Sequence, residues 1–192
     1  MDWIPIVLGV LVVLPIALAV HLLRKRHQSG LDWLVTAVSA MGLGGYALLV
    51  GRWDLFSYYL RPLAALALLA AVLISLIRSR RTPWWRRPES ARDRLTFGVG
   101  ALVAILFAGF AGYAASGLSA GRSQHVDLAF PLRGGVAYIG QGGANPVLNY
   151  HHPIRAQAYA LDIVALNGAG LHAWGLAPSE LDRYTVFEWD VH

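Results

Sequence analysis

Residues capable of chemistry gather in one short stretch of the C-terminal third. Asn149, Tyr150, His151 and His152 come together, and Asp162 follows ten residues after the second histidine, between Leu161 and Ile163. A carboxylate inside an apolar run is costly to bury unless it is paired or binds a metal. Two adjacent imidazoles just upstream offer a partner. Histidine and aspartate together suit zinc in a catalytic site, where three protein ligands leave one position open for water. The same residues also read as a strand-edge aspartate and a solvated histidine pair, and spacing alone leaves both readings open.

Other chemistries are poorly served. There is no cysteine, so disulfides, thiolate nucleophiles and cysteine-ligated metals are absent. Glycines cluster at Gly134, Gly135, Gly140, Gly142 and Gly143, but no lysine follows Lys25. A phosphate-cradling loop of the Gly-Lys-Ser/Thr kind is therefore missing, and the glycines read as hairpin or bulge positions.

The elements that position this stretch read as β-rich. Val126 to Phe130, Val136 to Ile139 and Tyr159 to Leu166 are short apolar runs bounded by glycine, proline or asparagine, and Tyr184 to Trp189 is a further strand candidate. Pro178 to Arg183 reads as a turn or a helical turn. From Ser119 onward four arginines face six carboxylates, an ordinary polar balance for about 74 residues.

What precedes it is different. The chain has 192 residues, of which 56% are hydrophobic and only 14% charged, with a mean hydropathy of +0.49. Soluble domains carry about 25% charged residues. The deficit lies before residue 118. A helix needs about 20 apolar residues to cross a bilayer, and four stretches qualify: 3–23, 31–50, 58–77 and 95–118. None holds a central Asp, Glu, Lys or Arg, which argues against a transporter or channel. Small residues from Ala40 to Gly45, and glycines 98, 100, 109 and 112 in the fourth span, predict close helix packing.

The +5 formal charge does not point to nucleic acid. Ten of the sixteen basic residues fall at Arg24 to Arg26 and between Arg78 and Arg94, in the connectors after the first and third spans. Such connectors stay in the cytosol. With four spans, both termini then face outward, and residues 119–192 form an extracytoplasmic tail. Tryptophans and tyrosines at the span ends (Trp3, Trp33, Trp53, Tyr58, Tyr59, Trp84, Trp85) suit the membrane interface. The expected fold class is a four-helix transmembrane region, 1–118, followed by a small, incomplete β-rich domain in a cell membrane. Leu118 to Gly121 loosely resembles a signal-peptidase site, but its place far from the N-terminus argues against cleavage.

The stretch from Phe130 to Gly143, then Asn149 to His152, then Gln157 to Val164 resembles the opening of lysostaphin/LytM-type zinc metallopeptidases, in particular a variant group with a Gly-Gly hairpin, an Asn-x-His-His pair and a Tyr-Ala-Leu-Asp strand in this order. The resemblance covers about Val126 to Val186. It implies a β-sheet domain directed at peptide cross-links of peptidoglycan, a Zn2+ cofactor, and Asp162 as metal ligand. The family's usual histidine four residues before that aspartate is Ala158 here. His152, or else His151, would substitute. The family's later His-x-His motif has no counterpart before His192. The resemblance thus predicts a membrane-anchored relative of these peptidases that is cut short and catalytically incompetent as written. The alternative is a non-enzymatic membrane protein whose outward tail binds cell wall or a protein partner.

Overall fold

A computed structural model describes residues 12–119, 129–175, 179–188 and 190–191. Among the described residues four α-helices come first: α1 (Leu14–Arg24), α2 (Gly30–Val50), α3 (Leu60–Ser79) and α4 (Ala91–Ser116). Four short strands follow among the described residues: β1 (Leu132–Arg133), β2 (Val136–Gln141), β3 (Asp162–Leu166) and β4 (Asp190–Val191). Helices α2, α3 and α4, with 21, 20 and 26 residues, are long and apolar enough to cross a membrane. Helix α1 is apolar but shorter, at 11 residues, and residues 3–11 of the predicted first span lie outside the described residues.

The chain divides into two compact units, one formed by Met1–Gly51 with Ala64–Tyr113, the other by Arg52–Leu63 with Ala114–His192. The connector between the second and third predicted spans thus falls in the second unit, in Arg52–Leu63.

In the first unit, helix ends are fixed by local chemistry. The Ser29 hydroxyl accepts the Asp32 N–H at 3.1 Å, and Ser90 and Asp93 each accept the other's N–H at 3.1 Å, a reciprocal cap. Loop carbonyls serve α2 as well: Gly30 and Leu31 donate their N–H groups to Pro83 and Trp84. A small core of Leu22, Ala37 and Ala40 packs with Leu18, Trp33, Leu68 and Val72. Within it the Trp33 Nε1–H donates to the Ser75 hydroxyl at 3.0 Å, so neither polar group meets the apolar surroundings unpaired.

The predicted small-residue contact sits at Gly42. A Cβ there would fall 2.6 Å from the Phe107 backbone carbon, so only glycine allows α2 and α4 to come this close. The packing face predicted on the fourth span is used less. Gly98, Gly109 and Gly112 face open space, and only Gly100 meets a side chain, Val35. The outer surfaces of α3 and α4 expose Leu66, Leu69, Leu73, Leu102, Ile105 and Phe110. In water such a surface would be a liability; in lipid it matches its solvent.

The second unit holds two two-stranded antiparallel ladders, β1 with β4 and β2 with β3. Strands β1 and β2 do not pair with each other, so Gly134 and Gly135 do not form the expected hairpin. Gly140 instead lies at an irregularity, where Ile139 pairs with Ile163 and Gln141 with Asp162. The run predicted as a strand from Tyr184 onward is not one. Tyr184 makes a single bridge to Ala173, and Thr185–Glu188 is a 3-10 turn. The Thr185 N–H donates to the His172 carbonyl as one of the bonds of that bridge, its hydroxyl donates to the Leu171 carbonyl, and the chain then turns instead of extending the pairing. Of the predicted run Val126 to Phe130, residues 126–128 lie outside the described residues, as does His192.

Candidate functional site

The polar stretch identified from sequence lies on a loop between β2 and β3, and Asn149 shapes it. This side chain is almost wholly buried, at 1% exposure. Its amide nitrogen faces the carbonyls of Ala158 and Ala160 at 3.2 Å and of Gly143 at 3.4 Å, while its oxygen accepts the His151 N–H at 3.1 Å. One side chain thereby ties together three parts of the loop. Asn145 acts similarly, accepting the N–H groups of Val147 and Leu148 at 3.1 Å. The backbone then descends through successive turns, His152 to Asn149, Ile154 to His151 and Gln157 to Ile154.

This scaffold presents His151 to Asp162. The ring Nε2 lies 3.1 Å from Asp162 Oδ1, and Nδ1 lies 3.2 Å from Gln157 Oε1. Tyr150 stacks on the same ring at 3.9 Å between centroids. Both polar contacts are satisfied together in two ways: by a doubly protonated imidazolium, or by a neutral ring whose Nδ1 accepts from the turned Gln157 amide. With a proton on Nδ1 instead, the Nε2 lone pair and the carboxylate face the same point, the arrangement of two ligands awaiting a cation.

The structure brings His151, not His152, to the aspartate. His152 makes neither hydrogen bond nor ion pair with Asp162, and its Nδ1 is buried with no partner among the described residues. Asp162 opens β3 and its side chain is 43% exposed, so the burial cost anticipated from its apolar neighbours does not arise. Zinc in a hydrolytic centre takes three protein ligands. Among the described residues, no group of three or more His, Asp or Glu gathers to hold a metal. The His151–Asp162 pair fits part of such a shell and not the whole.

A second cluster in the same unit has no precursor in the sequence reading. Asp54 is completely buried, with Arg52 bound to both its oxygens at 2.8 and 2.7 Å. His172 donates its backbone N–H to the Asp54 carbonyl at 3.1 Å, and its ring Nδ1 lies 3.4 Å from the carboxylate. The hydrogen bonds to Asp54 raise the pKa of the Arg52 guanidinium above its usual value, with weaker attraction from Tyr138 and Asp162. Burial pushes the Tyr138 phenol up as well. The only sequence signal was a lone aspartate in a short aromatic connector, and nothing there named a histidine 118 residues away.

No family model matches the chain, and no curated protein or solved structure matches it.

Proposed function

We propose that the protein is a membrane-anchored relative of peptidoglycan-directed zinc metallopeptidases, with four membrane spans and an extracytoplasmic tail. The juxtaposition of His151 and Asp162 at 3.1 Å carries this reading. These are two residues that the sequence resemblance marks as candidate metal ligands, and Asn149, the first residue of the Asn-x-His-His element, holds the loop that delivers one to the other. The apolar outward faces of α3 and α4 support the anchor, and the arginine-rich connectors support the orientation.

A non-catalytic variant of this reading is favoured by the surface around the pair. Tyr150, Ile154 and Leu161 are more than half exposed and Tyr159 is 96% exposed. Together with a two-residue ligand set, this suits holding a cell-wall peptide more than cleaving it, since exposed aromatics supply contact area without requiring a complete metal shell.

The test uses the full chain purified in detergent. Stoichiometric zinc, lost in both His151→Ala and Asp162→Ala, supports the metal pair. Co-sedimentation with cell-wall sacculi without release of new amino groups supports the binding form, and release of amino groups supports the peptidase form. Absence of zinc, of sacculus binding and of cleavage together would sink the cell-wall reading.

A further inference from the structure

The first unit contains a cleft of about 570 Å3, within the roughly 300–1,000 Å3 typical of ligand sites. Its walls change character from one part to another. Leu18, Val35, Val99 and Val103, from α1, α2 and α4, give it an apolar part, while Lys25, Arg26, Arg86, Arg87 and Arg92 give it a basic one.

Three carboxylates also line the cleft, but each is already engaged. Asp32 holds Lys25 at 2.6 Å. Glu89 holds Arg86 at 2.6 Å. Asp93 accepts the Ser90 N–H in the cap of α4. Arg26, Arg87 and Arg92 make no ion pair among the described residues. Three guanidiniums without a carboxylate thus share a cleft with an apolar surface, and Trp85, which also lines it, meets Phe97 edge-on at 6.2 Å.

We infer that this cleft binds a phosphate-bearing anion through Arg26, Arg87 and Arg92, and that its apolar wall selects the headgroup of an anionic phospholipid. Guanidinium matches phosphate oxygens with paired N–H donors. Basic pockets between membrane helices on the cytoplasmic side suit anionic headgroups. A free phosphate would use the arginines and leave the valine and leucine surface in water; a lipid covers both. The inference rests on the helices lying in a bilayer, and is independent of the tail's chemistry.

The experiment measures lipid retention by the full chain in detergent, using native mass spectrometry with phosphatidylglycerol and phosphatidylcholine as probes and glycerol phosphate as the soluble competitor. Phosphatidylglycerol is expected to bind about tenfold more tightly than phosphatidylcholine. The variant Arg87→Gln/Arg92→Gln should abolish that preference, and Arg87→Lys/Arg92→Lys should retain most of it. The variant Arg80→Gln/Arg81→Gln removes the same charge from the same connector, but from residues that do not line the cleft, and should leave the preference intact. Displacement by millimolar glycerol phosphate would keep the phosphate site and move its ligand from bilayer to solution. Equal binding of the two lipids, or equal loss in both Gln variants, overturns the proposal.

Discussion

Asp54 and His172 are 118 residues apart, yet the His172 N–H donates to the Asp54 carbonyl at 3.1 Å and its ring faces the buried carboxylate. Arg52 completes the cluster with two short hydrogen bonds. The two partners differ in what they can do alone. Asp54 has no exposure, while the Arg52 side chain is one-third exposed. Arg52→Ala would strand a buried carboxylate and should destabilise the second unit by about 3 kcal/mol. Asp54→Asn keeps a polar group in place and lets Arg52 turn to water, so its cost should be nearer 1 kcal/mol. Urea unfolding in detergent, followed by proteolysis of the tail, checks this order.

Gly170 seats the connector on the tail. Its φ of +74° is the left-handed region that favours glycine. Its carbonyl accepts the Tyr58 N–H at 2.8 Å, and the Ser57 hydroxyl donates to Ala169 beside it at 2.7 Å. A Cβ would meet Tyr59 at 3.0 Å and Ser57 at 3.1 Å. Gly170→Ala should therefore cost roughly 1–3 kcal/mol, whereas Gly168→Ala, with open space around it, should change stability by less than about 0.5 kcal/mol. Paired melting curves compare the two.

Gly42 offers the matching test in the helical unit. The atoms that a Cβ would strike belong to the backbone of Phe107 and Ala108 and cannot rotate away. Gly42→Ala should cost about 1–3 kcal/mol, the range for overpacking. Gly109→Ala, facing open space, should be silent. Resistance to SDS denaturation provides the comparison.

His27 predicts a pH dependence. Burial is the main cause of its lowered pKa, and it outweighs both the hydrogen bond to the Leu22 carbonyl and the attraction of Asp32. The folded state therefore disfavours the imidazolium, and the unfolded chain takes up the proton first. Stability from the neutral ring is complete above the ordinary value of 6.5 and declines as pH falls below it. Melting temperatures at pH 7.5 and pH 5 should differ more for the wild-type protein than for His27→Gln.

These residues show what a sequence carries and what it conceals. Long apolar stretches without a central charge read directly as helices because apolar length is a local property, and α2, α3 and α4 lie where it placed them. The small-residue stretch around Gly42 was legible for the same reason, although its partner was not. Strands β2 and β3 were visible as apolar runs between glycine and asparagine. Tyr184 to Trp189 looked alike by composition, but it pairs with a distant segment only at Tyr184 and turns from Thr185 to Glu188. At the candidate site, composition supplied the histidines and the aspartate. Which histidine meets Asp162 depends on how Asn149 folds the loop, and neither that nor the Arg52–Asp54–His172 cluster is encoded in local spacing.

The proposed function requires that the helices anchor the chain in a membrane and carry the His151–Asp162 pair to its outer side. Alkaline phosphatase and green fluorescent protein fused in turn behind His192 test it most directly in a bacterial host. An active phosphatase and a dark fluorescent fusion are expected. A bright fluorescent fusion with an inactive phosphatase would contradict it.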